Sequence, residues 1–423
     1  MLILSVILSL AFQYLLAPTI MEKGEEKWSI IGSTIGKRVF NGWTEGCESY
    51  SQDQIGQCAA NAGAFRPTFL SFIFFSIAAF ISSIRPDFNR HLWPAKFSIY
   101  IVLVFLSIFA SNYPWFSGIF MHCARIGAMI FIVIQQIIIL DIAYNWNETW
   151  VGKADACDRA EWGSGAFWLR ATIAACCVFY IIAFMGIVLL YRLFSGCSSN
   201  TTIITMTLLG IIAVTALQLA GSEGSLLTSS VISAYSVYLA YSAVVKNPIS
   251  SCNPQLFEPN DAYDVAFGLV LTALSLAWTG WSYTANERMS ADGVTQARSL
   301  GRGQDQLLDV NDPLLDFDDG SEPPTRMTMG GRLNHGEDIL YSRSSNVWKL
   351  NAILALVSAW VAMILTSWSS ISGSFDEEGT HSAANPTVGK LNMIVIAISQ
   401  WIALLLYAWT LVAPQLFPDR DFS

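Results

Sequence analysis

Charge is scarce in this chain: Asp, Glu, Lys and Arg together make up 13% of its 423 residues, against 53% hydrophobic ones. A soluble domain of this size carries about twice that share of charge. No basic patch interleaved with aromatics is present, which argues against a nucleic-acid partner, and no paired C-x-x-C spacing offers a zinc site. There is no G-x-x-x-x-G-K-[ST] loop, because Gly152-Lys153 lacks both the glycine spacing and the following hydroxyl. ATP-driven pumping is therefore unsupported. G-x-S-x-G elbows and H-E-x-x-H helices are missing as well. Asp292-Gly293 followed by Ala297-Arg298 approaches the D-G-x-x-A-R opening of enzymes that move phosphoalcohols onto lipids. One residue too many separates the pairs, and the downstream glycine and aspartates are missing. These absences point away from an enzyme and call for no cofactor and no metal.

What the chain does have is apolar sequence in long runs. Runs near residues 2–19, 67–84, 96–111, 118–147, 168–191, 202–220, 225–245, 262–284, 346–368 and 389–412 each approach membrane-spanning length. The expectation is an all-α, multi-pass membrane protein of about ten transmembrane helices. The first run has no basic flank and no A-x-A-like cleavage site, so it is expected to stay as a helix. The chain begins almost inside that run, which leaves no cytosolic flank to orient it and leaves open whether the amino terminus is complete. Residues 1–284 would hold spans one to eight, with an extracytoplasmic loop at 20–66. Residues 285–343, rich in Asp, Gly, Ser and Arg, read as a disordered acidic cytosolic loop. The formal charge of -9 largely describes that loop. Residues 344–423 would supply spans nine and ten and a short cytosolic tail. An even count puts both termini on one side, and the Lys and Arg distribution favours the cytosol.

The fourth run is too long to cross upright. Its thirty or so residues from Gly118 to Asn147 would reach roughly 45 Å as a helix, against a hydrocarbon core of about 30 Å. A straight helix must lean strongly or protrude. It carries Arg125, Gln135, Gln136 and Asp141 at membrane depth, where such groups usually face a bundle interior or a wet cleft. Arg125 and Gln136 fall near one face, and Asp141 and Asn145 lie four apart on the opposite one. Snorkelling and lining a polar cleft explain these residues about equally well. In the eighth run, Trp278 and Trp281 suit an interfacial belt.

The seventh run carries Ser225, Ser229, Ser233 and Ser236 at i, i+4, i+8 and i+11, a hydroxyl stripe within an arc of roughly 80°. Such a stripe could bond lipid headgroups or water. The commoner use of small hydroxyl residues is close helix packing, each hydroxyl returning to its own i−4 carbonyl. Among eight cysteines, Cys47, Cys58, Cys197 and Cys252 fall in segments assigned outside the cytosol, where disulfides persist. Of three pairings, Cys47 with Cys58 and Cys197 with Cys252 is favoured. Cys123, Cys176 and Cys177 fall within helices and Cys157 on the cytosolic side.

Four stretches together resemble the serine incorporator (Serinc) family of membrane proteins. They are VIQQIIILDIAYNWNETWV, GSLLTSSVISAYSVYLAYSA leading to NPISSCNPQL, YSRSSNVWKLNAILALVSAWVAMILTSW, and WIALLLYAWTLVAPQLFPDRDF at the carboxyl end. The resemblance implies ten helices in two bundles, separated by a long tilted fourth helix that crosses the eighth. The family's cysteine-rich amino-terminal segment has no counterpart here. Two functions follow from the resemblance: movement of phospholipid between leaflets without ATP, and support of serine entry into phosphatidylserine and sphingolipids. Under the first, Arg125, Gln136, Asp141, Asn145, Ser225, Ser229, Ser233 and Ser236 are the lipid-groove candidates. Membrane phospholipids are the expected partners; lipid-biosynthetic enzymes bound through 285–343 belong to the second function. Assembly into homo-oligomers is left open, as is the choice between an endomembrane (ER, Golgi or vacuole) and the plasma membrane.

Overall fold

The computed structural model describes residues 1–23, 32–47, 52–85, 93–161, 163–221, 225–249, 251–254, 265–280, 347–369 and 386–416. The expected loop at 285–343, with Asp292 to Arg298 inside it, lies outside these residues, as does Trp281. All regular elements among the described residues are helical. Helix α1 (Leu2–Ala11) runs through a π-helical stretch (Phe12–Leu16) into α2 (Ala17–Lys23). Helices α3 (Gly32–Thr44), α4 (Gln52–Ile84), α5 (Trp93–Ser107) and α6 (Met121–Ala160) follow, α6 being led in by a second π-helical stretch, Trp115–Phe120. Then come α7 (Ala166–Phe194), α8 (Ser198–Ala220), α9 (Leu226–Val244) and α10 (Val265–Gly280). The last two are α11 (Val347–Leu365) and α12 (Pro386–Leu416).

Among the described residues, seven helices are long and apolar enough to cross a membrane: Leu2–Glu22, Ile55–Ile84, Trp115–Ala160, Ala166–Phe194, Ser198–Ala220, Trp348–Leu365 and Gly389–Ala413. The protein is thus an integral multi-pass membrane protein. Two apolar helices, Trp93–Ser107 and Val265–Gly280, are shorter. Helix α9 has the length but is diluted by five serines, a threonine and three tyrosines. Large apolar side chains such as Phe184, Leu405 and Phe105 face outward, as lipid-facing residues do.

Two boundaries differ from the sequence expectation for one reason. The apolar runs end where side chains become polar, whereas a helix ends only where its backbone hydrogen bonds do. Helix α4 begins 15 residues before the expected start at 67, so part of the expected 20–66 loop is helical. Pro67 lies inside it and its ring removes one donor. Helix α6 continues 13 residues past Asn147, through a polar stretch with no proline, and ends where Glu161 turns extended. With its π-helical lead it is one 46-residue span, about 69 Å long.

The buried apolar residues form two clusters. The larger joins α6 to α7, α8, α9, α11 and α12 through residues such as Phe131, Ile204, Leu239 and Met363. The smaller holds α1, α2, α3 and α5 together around Phe12, Trp43, Tyr100 and Val104. Both expected disulfides are present, Cys47–Cys58 with Cα atoms 6.0 Å apart and Cys197–Cys252 with 5.4 Å. They stand at the same end of the assembly. Gly389 at the start of α12 lies against Lys246 and Pro248, near Cys252. Asn392 donates to Trp368 O beyond α11, and Gln13 to Leu365 O, one residue from the Phe12–Trp43 contact.

Candidate functional site

The eight candidates separate into an enclosed set and an exposed one. Ser225 caps α9: its hydroxyl accepts from Leu227 N at 3.2 Å, so it starts the helix instead of lining it. Ser229 hydrogen-bonds the Tyr407 hydroxyl of α12 at 2.8 Å and approaches Gln218 of α8 at 3.4 Å. Ser233 donates back to Ser229 O at 2.7 Å, the local bond that small hydroxyl residues make in membrane helices. Ser236 is fully buried, and its hydroxyl finds no hydrogen-bond partner among the described residues. The stripe therefore faces inward, among α8, α9 and α12. Gln400 and Thr207, bonded at 2.8 Å, tie α12 to α8 in the same way.

Arg125 is enclosed too, at 6% exposure. Among the described residues, its one hydrogen bond runs from Nη2 to Met121 Sδ at 3.6 Å, and Nε has none. The Gln136 amide, eleven residues on along the same face, is buried with neither atom paired among the described residues. Its neighbour Gln135 accepts from the Tyr235 hydroxyl at 3.2 Å and so joins α6 to α9.

Asp141 and Asn145 lie on the other side. Asp141 is exposed on the outward ridge of α6 that also carries Ile126, Ile130, Ile137 and Tyr144. One carboxylate oxygen accepts from Asn145 Nδ2 at 3.1 Å, and the other accepts from Trp278 Nε1 of α10 at 2.7 Å. The i, i+4 spacing of Asp141 and Asn145 was visible in the sequence. The third member was not, because Trp278 reads there as an interfacial anchor, and only folding brings α10 beside α6. Helix α10 is itself held by Thr272, which accepts from Trp360 Nε1 of α11 at 2.9 Å, and by Phe267 against Tyr238 of α9 at 4.8 Å between centroids. Among the described residues no group of His, Cys, Asp and Glu is arranged to hold a metal ion.

The comparison with known families settles the relationship. Residues 1–420 match the family described as Serine incorporator (Serinc). The chain belongs to the Serinc family. It is 29% identical over 183 residues to Serine incorporator 2 of Homo sapiens, covering 41% of this chain and 38% of that protein. Identity to Serine incorporator 3 of Mus musculus is 27% over 300 residues, covering 62% of this chain and 59% of that one. A Probable serine incorporator of Nematostella vectensis is 27% identical over 359 residues, 80% of this chain and 74% of that protein. The match thus spans less than two thirds of the first two relatives' lengths.

Within this Serinc protein, sequence reasoning missed Arg66. It falls within the expected 20–66 loop, yet it is fully buried in α4. Nε donates to Ser107 O at 2.9 Å, Nη1 to Ala62 O at 2.6 Å, and Nη2 to Ala110 O at 2.9 Å. Its guanidinium stacks over Trp43, 4.3 Å from the ring centroid. One side chain thereby joins α3, α4 and the end of α5. No sequence signal marks it beyond the oddity of an arginine beside a proline.

Proposed function

We propose that this protein binds phospholipid and moves it between leaflets without ATP. In this reading ten helices cross the membrane in two bundles flanking a tilted α6, and headgroups pass along the seam between α6 and α10 while acyl tails stay in the bilayer. The observation that carries it is Asp141, a carboxylate on an otherwise apolar, outward ridge, bonded on both sides by Asn145 and Trp278. A polar headgroup entering hydrocarbon loses its hydration, and polar groups at the protein surface replace part of it without covalent chemistry. The α9 stripe serves packing in this reading.

The test is reconstitution of the purified chain into liposomes with leaflet-labelled phospholipid and an impermeant quencher. Wild type should exchange label without nucleotide. Asp141→Asn, which keeps shape and removes charge, should slow exchange severalfold, while Ser229→Ala with Ser233→Ala should leave it near wild type. No exchange above protein-free liposomes, or full activity in Asp141→Asn, would overturn the assignment.

The names of the relatives favour a second reading, an accessory role in serine incorporation into phosphatidylserine and sphingolipids, with enzymes held through residues 285–343. Inactive liposomes together with capture of lipid-synthetic enzymes by the intact chain, lost on deletion of that segment, would favour it.

A further inference from the structure

At the disulfide-bearing end, α3 is held over the turn that follows α5. Trp43 Nε1 donates to Ile108 O at 2.8 Å, Asn112 N donates to Gly42 O at 2.8 Å, and Asn112 Nδ2 donates to Glu45 O at 3.1 Å. Arg66 fastens the same turn through Ser107 O and Ala110 O, and the Cys47–Cys58 bridge ties the chain just after α3 to α4. These bonds frame an open pocket of about 850 Å³, within the range of small-ligand sites.

Lys37, Arg38 and Asn41 stand along the exposed face of α3, while Val39 and Trp43 are buried on the opposite face. Ser111 and Phe109 form the facing wall, and Glu45 is the one carboxylate in the lining. Neither Lys37 nor Arg38 is paired with a carboxylate among the described residues. Beside the pocket, Phe109, Tyr113 and Trp115 are each more than half exposed. Aromatic side chains of this kind sit at the level of lipid headgroups. Two cations with no carboxylate partner among the described residues, close in the chain fold to exposed aromatics, complement a phosphodiester whose acyl chains remain in the bilayer.

We propose that this pocket binds the headgroup of an anionic phospholipid of the leaflet on the disulfide side, with the phosphate against Lys37 and Arg38. The site is separate from the Asp141 seam and does not depend on leaflet exchange. The neighbouring apolar surface selects a lipid over a free anion, because a soluble phosphate gains nothing from Phe109, Tyr113 and Trp115.

Native mass spectrometry of the detergent-solubilised full chain tests this, with phosphatidylglycerol, phosphatidylcholine and inorganic phosphate titrated separately. Phosphatidylglycerol should bind wild type more tightly than phosphatidylcholine does. Lys37→Gln with Arg38→Gln should weaken it by roughly 30-fold, the effect of two basic groups near a charged headgroup. Both side chains are exposed, so the fold should tolerate their loss, and an unchanged thermal midpoint checks this. Asn41→Trp keeps both charges and fills the pocket, and it should also abolish the tighter binding. Equal phosphatidylglycerol affinity in wild type and either variant would overturn the proposal. So would phosphatidylcholine binding as tightly as phosphatidylglycerol, or phosphate binding that matches the lipid.

Discussion

At the residue scale, one buried cation ties three elements together. Arg66 offers a planar fork of donors to carbonyls from α4 and the turn after α5, and it stacks on Trp43. Arg66→Lys keeps the charge but has neither the fork nor the flat face. We expect it to lower stability by about 2–3 kcal/mol, since buried carbonyls lose charged donors. Thermal unfolding in detergent reads this, and a wild-type midpoint in Arg66→Lys would contradict the assigned role. The smaller case is Ser225→Ala, which removes the cap of α9 and should cost about 1 kcal/mol in the same measurement. Neither role was legible in the sequence. An arginine in a polar stretch reads as solvated, and a serine at the head of a regular stripe reads as part of it.

At the scale of the element, α6 is the long axis against which the other helices pack, and its small residues set how closely they do so. A Cβ on Gly127 would lie 2.8 Å from Ala359 Cβ of α11, so this contact exists only because the side chain is missing. Gly127→Val should push the helices apart at a cost of about 1–3 kcal/mol. Gly152, further along the same helix, has nothing within 4 Å. Gly152→Ala should therefore stabilise by about 0.5–1 kcal/mol through the lower entropy of the unfolded chain. The pair, compared by thermal unfolding, separates packing from backbone entropy on one helix. Equal effects of the same sign would refute the distinction. The sequence showed that this run was too long for an upright span. It did not show the polar continuation to Ala160, because apolar periodicity fades while the backbone ladder continues.

At the scale of the whole molecule, the helices carry the chain back and forth so that both disulfides fall at one end. Helix α6 then places Cys157 42 residues beyond Trp115, about 63 Å along the helix axis and past the opposite face of a 30 Å core. In a chain with Cys123, Cys176 and Cys177 replaced by Ala, an impermeant maleimide should label Cys157 only from the face opposite the disulfides. The four bridged cysteines should label from the other face, and only after reduction. Labelling of Cys157 and of reduced Cys47 from the same side would overturn the arrangement.

The sequence by itself determined the class of this protein. Hydrocarbon admits only helices or closed barrels, whose backbones are satisfied internally, and each helical crossing requires a long run of apolar residues that composition cannot hide. Cysteines sorted to one face marked the four that form disulfides, the structure deciding among their three pairings, and the i, i+4 spacing gave the Asp141–Asn145 contact. Partners from distant segments were decided only by the tertiary structure: Trp278 on Asp141, Tyr407 on Ser229, Arg66 among three elements, and α3 folded over the turn after α5. The physical reason is that inward and outward faces of a membrane helix are both apolar. Periodicity therefore sets where a helix lies along the chain, while close contacts between small residues and buried hydrogen bonds choose its neighbours.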